Sequence, residues 1–132
     1  KQFINIRNKN RKKLISMVKN NKMLVKKFDF YKPNQNVTPS WFGLPIKITK
    51  YMNKSKNIVI EILEKNGIET RPIISGNFTN QPAAIKYKLA TNKKFPNTDY
   101  VYNNSFFIGL PTKEISLSML KKIKFAFEIA AK

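Results

Sequence analysis

Cysteine and histidine are both absent from this chain of 132 residues. Without cysteine there is no disulfide framework and no thiolate metal site. Without histidine there is no imidazole ligand for zinc and no Ser-His or Cys-His nucleophile. Acidic residues are scarce, at 7 against 26 basic ones. No apolar run approaches the ~18 residues that cross a bilayer, and none forms the apolar part of a signal peptide. Few catalytic options therefore remain within the chain.

The length suits one domain with a substantial core and is too short for two. The chain begins at Lys1 without an initiator methionine, so we expect it to be part of a longer protein. We therefore treat residues 1–132 as a single domain.

The net charge of +19 suggests nucleic acid or an anionic membrane surface as a partner. However, the cations are 23 lysines and only three arginines, and 16 asparagines and 16 isoleucines accompany them along the whole length. Recognition of nucleic acid usually favours clustered arginine, whereas only residues 9–13 and 121–124 form dense lysine runs here. This composition is typical of AT-rich coding bias. A basic module for nucleic acid or an anionic surface stays as the alternative function.

The spacing of apolar and turn-forming residues predicts alternating helices and strands. Either Ser55 or Asn53 is placed to cap one helix and Ser116 to cap another, and Gly67 supplies a left-handed helix stop. Pro45 has no N–H for a ladder, so its strand should lie at an edge or carry a bulge. The predicted elements are a helix over 1–20, a turn-rich connection over 28–39, a strand over 41–49, a helix from Ser55 to Gly67, a strand over 68–74, a short helix over 82–89, a loop over 90–98, a strand over 100–108 and a helix after Ser116. This order predicts the α+β class, with a small antiparallel or mixed sheet of about three strands and helices packed on one face.

The most informative stretch covers residues 67–82, where a short apolar strand carries Arg71 and then breaks into a turn rich in amides. The planar guanidinium of arginine can hold a carboxylate or phosphate at two points. Asn77, Asn80 and Gln81 each bring a donor and an acceptor, which suit sugar hydroxyls or a base edge. On local features alone, amides that cap the following helix explain the turn better.

Three segments, at residues 40–46, 67–82 and 98–109, follow one another in an order and spacing that resemble the C-terminal domain of the DegT-type nucleotide-sugar aminotransferases. The resemblance is strongest to the branch that contains the sugar 3-dehydratases of lipopolysaccharide biosynthesis. It covers about residues 7–127, and its specific part is the pattern Thr-Arg-Pro…Gly-Asn-x-Thr-x-Gln-Pro.

The resemblance implies a fold-type-I enzyme that uses pyridoxal 5'-phosphate as an electron sink. It implies a large N-terminal domain upstream of Lys1 that bears the aldimine lysine, or a histidine in one dehydratase branch, and residues 1–20 as the end of the helix that joins the domains. It further implies a nucleotide-sugar substrate, a homodimer and a cytoplasmic location, with no membrane association. The residues present here do not separate an aminotransferase from a dehydratase.

By the same resemblance, the substrate-binding residues are Ser40, Arg71, Asn77, Thr79 and Gln81, and no catalytic residue or metal ligand lies in this chain. The family normally places a bulky basic residue where this chain has an asparagine between the last two. The remaining aromatics are interpreted structurally: Trp41 and Phe42 as core, and Tyr100 and Tyr102 as half-buried strand side chains.

Overall fold

The structure is a computed structural model and describes residues 1–74, 76–89 and 93–132. Within these residues, helices and short strands alternate along most of the chain. They are α1 (Gln2–Lys19), α2 (Leu24–Lys27), β1 (Phe28–Phe30), β2 (Gly43–Ile48), α3 (Lys56–Lys65), β3 (Thr70–Pro72), a 3-10 turn (Phe78–Asn80), α4 (Pro82–Lys86), α5 (Pro96–Asn104), β4 (Ser105–Gly109) and α6 (Leu117–Ala131).

The strands described here form a four-stranded antiparallel sheet in the order β1-β2-β4-β3. At its centre Ile46 faces Phe30 on one neighbour and Phe106 on the other. At the edge formed by β3, Arg71 is paired with Phe107. The α+β class is confirmed, with one strand more than the expected three.

One face of the sheet is buried against α1, α3 and α6. Phe28 of β1 meets Phe127 of α6 edge to face, with ring centroids 5.0 Å apart. Leu14, Val18, Val59 and Leu63 complete the helical side of this cluster. Side chains alternate in direction along a strand, so Phe107 and Arg71 lie on the other face, away from these helices.

The predicted helix boundaries with a local signal are confirmed. The Ser55 hydroxyl accepts a hydrogen bond from the Ile58 N–H at 3.5 Å, and the Ser116 hydroxyl accepts one from the Met119 N–H at 3.2 Å. Gly67 adopts φ +79°, in the left-handed region. That conformation favours glycine because it has no β-carbon.

The predicted strand over 100–108 is wrong for its first half, because α5 extends to Asn104. Pro96 occupies the first turn of this helix together with an acidic residue, Asp99, and both favour a helix start. The Asn104 amide also donates to the Tyr100 carbonyl, 3.1 Å away. Tyr100 and Tyr102 are thus helical, not strand, side chains. Residues 90–92 of the predicted loop 90–98 lie outside the described part. The helix α5 begins at Pro96, before the predicted end of that loop.

The predicted turn-rich connection 28–39 is wrong at its start, where β1 pairs with β2. The strand is three residues long, too short for a period-two pattern to reveal. β2 is an inner strand, not an edge strand. It tolerates Pro45 because β1 ends opposite Ile46, so β2 has only β4 beside it at the proline.

Phe42 also departs from expectation, since it precedes β2 and is 62% exposed instead of being in the core. It packs edge to face on Phe107, on the open face of the sheet, with centroids 5.4 Å apart. Trp41, by contrast, is partly buried against the core.

The predicted strand 68–74 is shorter than expected, at three residues, and α2 was not predicted. The start of α2 is capped by Asn21, whose side-chain oxygen accepts hydrogen bonds from the N–H groups of Met23 and Leu24 at 3.0 and 3.1 Å.

Candidate functional site

Arg71 stands at the edge of the sheet on its open face. Its side chain is 64% exposed, and its Nη2 donates to the Glu69 carboxylate, whose side chain is 74% exposed. An ion pair this exposed is weak, because water competes for both partners. The guanidinium is therefore available to an incoming anion that can displace Glu69.

The surface beside Arg71 is a shallow depression that also contains Glu64, Gly67, Glu69 and Thr70. The Thr70 hydroxyl donates to the Glu64 carboxylate at 2.6 Å, so this carboxylate is held in place. Two carboxylates against one arginine disfavour a bound phosphate by like-charge repulsion. An anionic ligand at Arg71 would therefore need further cations or hydrogen-bond donors from outside this domain.

The turn over residues 76–81 is anchored to α5. Gly76 has φ +58°, and a β-carbon on it would lie 2.0 Å from the Tyr102 ring, so glycine is required both by conformation and by space. Asn77 is only 4% exposed, and its amide donates to Asp99 Oδ1 at 2.6 Å. The turn thus keeps a fixed position relative to the helix that precedes β4.

Asn77 also organises the turn internally. Its side-chain oxygen accepts from the N–H of Thr79 at 3.0 Å and from its hydroxyl at 2.7 Å. The Asn77 contacts are therefore those of a cap, but the cap belongs to the 3-10 turn, and α4 begins after Gln81 without a side-chain cap. Thr79 is half-buried with its hydroxyl donated to Asn77, and Gln81 is half-buried where the 3-10 turn meets α4.

Ser40 does not share a depression with Arg71 but lies close to Ile73 and Ile74, which follow β3. It borders a pocket of about 210 Å³ whose walls are otherwise mainly apolar and include Phe42, Ile73, Ile74 and Phe107. Ile74 is 82% exposed. The structure therefore brings Ser40 next to residues 73–74, with Arg71 on the same open face of the sheet but outside this pocket.

Two features of this region were missed from the sequence. The Arg11 guanidinium stacks over Trp41 at 4.5 Å, Nη2 donates to the Tyr31 carbonyl at 3.1 Å, and Nε is buried without a partner in the described residues. Burial lowers the pKa of Arg11. The second is Asp99, which holds the turn. Neither has a local signal in the sequence, since each joins residues about twenty or thirty positions apart.

Neither depression of the candidate site fits pyridoxal phosphate by itself. Among the described residues, the pocket beside Ser40 has no cation on its walls, and the arginine at the sheet edge faces two carboxylates. In the described part of the chain, no group of three acidic residues is placed to hold a metal ion. Nor does any helix there have both the length and the apolar character to cross a membrane.

Comparisons with known proteins identify the class. Residues 2–119 match the sequence model of the DegT/DnrJ/EryC1/StrS aminotransferase family, so the chain belongs to this family. It is 28% identical over 109 residues to the GDP-4-keto-6-deoxy-D-mannose 3-dehydratase of Escherichia coli, a match that covers 82% of this chain and 26% of that protein. It is 34% identical over 74 residues to the lipopolysaccharide biosynthesis protein RfbH of Salmonella typhimurium, covering 54% of this chain and 16% of that protein.

Solved structures give the same class. The E. coli GDP-4-keto-6-deoxy-D-mannose-3-dehydratase with bound hydrated PLP superposes with a TM-score of 0.76 at 27% identity, over 98% of this chain and 31% of that one. A GDP-4-keto-6-deoxymannose-3-dehydratase variant with bound GDP-perosamine gives a TM-score of 0.78 at 26% identity, over 96% and 31%. The chain thus spans about a third of these solved relatives.

Proposed function

We propose that this chain is the small, C-terminal domain of a pyridoxal-phosphate-dependent nucleotide-sugar 3-dehydratase or aminotransferase. The substrate class is a 4-keto-6-deoxy sugar nucleotide, and the pathway is deoxysugar and lipopolysaccharide O-antigen biosynthesis. The observation that carries the proposal is that sequence and structure both match the same nucleotide-sugar dehydratases over most of the chain. In this proposal residues 1–132 form one domain, and α1 ends the helix that arrives from a larger upstream domain.

Pyridoxal phosphate, when bound, supplies an electron sink for bond cleavage in the sugar. Since the residues here do not fit it alone, we assign its binding mainly to the upstream domain. We assign to this domain one wall of a substrate cleft that lies between it and the upstream domain. Binding of pyridoxal phosphate is therefore expected in the longer protein, which contains both domains.

Arg71 is the residue best placed to bind the substrate. Its weak surface pair with Glu69 can be replaced by a diphosphate, which offers two oxygens to the guanidinium fork, when cations or donors of the upstream domain offset the charges of Glu64 and Glu69. Thr79 and Gln81 are assigned to polar contacts from the turn, and Ser40 is assigned to a polar contact at its own pocket. Asn77 is assigned to the same site as a positioning residue, because its donor and acceptor are already used by Asp99 and Thr79.

The open face of the sheet is where the remaining protein would pack. Phe42 and Ile74 are 62% and 82% exposed there and border one apolar pocket. Apolar side chains grouped in this way are typical of an interface. We assign the face to the upstream domain or the second subunit of a homodimer, and we place the enzyme in the cytoplasm with its nucleotide-sugar substrate.

The test uses the protein extended by its upstream coding region. It is incubated with pyridoxal phosphate and GDP-4-keto-6-deoxymannose, with and without glutamate, and the products are analysed by mass spectrometry and NMR. Loss of the hydroxyl at carbon 3 identifies a dehydratase, and an amine in place of the keto oxygen identifies an aminotransferase. A folded, cofactor-loaded protein that changes neither this nor other 4-keto-6-deoxy sugar nucleotides would overturn the proposal.

A further inference from the structure

The two dense lysine runs of the sequence, 9–13 and 121–124, come together in the fold. The first lies on α1 and the second on α6. The two helices border an open groove of about 590 Å³, and Lys12, Lys121 and Lys124 line it. Residues more than a hundred positions apart thus form one basic surface, although lysine is spread along the whole chain.

The charge of this groove is only partly compensated. Lys13 is paired with Glu114 at 3.0 Å, and Lys124 makes a longer contact with Glu128, at 3.7 Å. Among the residues that the structure describes, no carboxylate forms an ion pair with Lys12 or Lys121. The surface therefore keeps a positive charge that attracts anions.

Apolar side chains lie among these lysines. Leu117 and Phe125 are 77% and 60% exposed. With Lys121 they occupy positions four apart on α6, so all three project from one side of the helix. Met17 and Leu120 lie deeper and are partly buried against the core. The surface is therefore amphipathic, with protruding apolar groups surrounded by cations.

We propose that this α1–α6 surface, defined by Lys12, Lys121, Lys124, Leu117 and Phe125, binds the protein reversibly to an anionic lipid bilayer. Lysines attract a layer of anionic headgroups without needing fixed geometry, and exposed leucine and phenylalanine can enter the boundary with the acyl chains. A nucleic-acid backbone would leave both apolar groups in water, and its recognition favours arginine.

The proposal does not depend on the enzyme function. The helices α1 and α6 cover the buried face of the sheet, whereas Arg71 and Phe107 lie on its other face. A bilayer bound at one side would therefore leave the proposed substrate site accessible. The proposal departs from the absence of membrane association that the family resemblance implies, and it involves binding at the bilayer surface without any helix that crosses the bilayer.

The test measures co-sedimentation of the purified chain with vesicles of phosphatidylglycerol and phosphatidylcholine, and with vesicles of phosphatidylcholine alone. We expect binding to the anionic vesicles only. The triple variant Lys12→Gln/Lys121→Gln/Lys124→Gln should bind about 100-fold more weakly. The variant Leu117→Ser/Phe125→Ser should lose about tenfold, because insertion of apolar groups adds to the electrostatic attraction.

The matched control is Lys50→Gln/Lys65→Gln/Lys86→Gln, which removes the same charge elsewhere. Each triplet contains one lysine in an i,i+4 ion pair, with Glu128 in the test and Glu61 in the control. The control should lose less than about tenfold, since distant charges are screened. Circular dichroism and urea unfolding check that every variant folds.

Three outcomes would overturn the proposal. They are equal binding to neutral vesicles, equal losses in the test and control triplets, and displacement from vesicles by duplex DNA at physiological salt together with a matching loss of DNA binding in the test triplet. The last result would assign the surface to nucleic acid. None of these three outcomes changes the interpretation of the dehydratase or aminotransferase assay, because that assay measures the products of the longer protein.

Discussion

Asn10 shows how one side chain can hold two distant segments together. It is fully buried on α1, and its amide donates to the carbonyls of Pro111 and Lys113 at 3.0 and 2.8 Å. Its oxygen accepts from the Ile115 N–H at 2.9 Å. These three hydrogen bonds join α1 to the backbone that leads into α6.

We expect Asn10→Ala to lower the free energy of unfolding by about 3 kcal/mol, because backbone groups of the 110–115 loop lose their buried partner. Asn5→Ala, at an exposed position of the same helix, should change it by less than about 0.5 kcal/mol. Urea unfolding followed by circular dichroism measures both. Equal effects of the two substitutions would show that the hydrogen bonds of Asn10 do not stabilise the fold.

Arg71 is expected to serve ligand binding and not the stability of this domain. In the longer protein, Arg71→Lys keeps the charge but loses the two-point grip, so kcat/KM should fall by an amount equivalent to roughly 1.5–3 kcal/mol. In the domain alone, unfolding should change by less than about 0.5 kcal/mol. Steady-state kinetics and urea unfolding measure the two quantities.

Glu69→Gln is the control for this prediction, because it releases the arginine without altering it. KM should then stay constant or fall. Normal kinetics for Arg71→Lys, or a KM that rises equally in both variants, would place substrate binding elsewhere.

At the scale of elements, an ion pair joins β1 to β2, and its two residues become neighbours only when the strands pair. Asp29 Oδ2 lies 2.7 Å from Lys47 Nζ across the two strands. The hydrogen bond from Lys47 is the main cause that lowers the pKa of Asp29 below its ordinary value of 3.8. Asp29 and its partner are 54% and 30% exposed, so the contribution is at most ~1 kcal/mol.

The sign of the pH dependence follows from that lowered pKa. The carboxylate stabilises the fold at pH values above 3.8, and the contribution is lost as pH falls through the lower pKa of the folded state. The difference in unfolding free energy between the wild type and Asp29→Asn should therefore shrink on acidification from neutral pH. In a Lys47→Gln background the difference should be smaller, because only the Phe30 N–H and the charge of Lys32 still favour the carboxylate. An unchanged difference at acid pH would contradict the pairing.

Short elements are also where sequence patterns fail. The alternation of aromatics from Tyr100 predicts a strand, yet Pro96 and Asp99 start a helix first, and Gly76 and Asn77 then pack against it. A helix or strand of three to nine residues gains most of its stability from such packing. Its type is therefore decided by neighbours that are distant in sequence.

At the scale of the whole molecule, we expect the isolated chain to be inactive. The two depressions of its candidate site do not fit pyridoxal phosphate, and its exposed lysines would form only weak, non-specific adducts with added cofactor. Incubation of the purified chain with cofactor and a 4-keto-6-deoxy sugar nucleotide should therefore yield no product by mass spectrometry. The longer protein, assayed in parallel, is the positive control. Turnover by the 132-residue chain alone would contradict the assignment of the cofactor to an upstream domain.

The sequence by itself determined the features whose signals are local. The caps at Ser55 and Ser116 and the left-handed stop at Gly67 each depend on contacts within about four residues, so they can be read along the chain. The α+β class followed from the order of such elements, and the family followed from three motifs in a fixed spacing.

Only the tertiary structure decided what distant residues do together. Asn10 finds its partners more than a hundred positions away, and Lys12 meets Lys121 at one groove. The turn at Asn77 is held by Asp99. No pattern of three or four residues encodes these contacts, because they exist only after α1 and α6 have packed on the sheet and α5 has reached the turn.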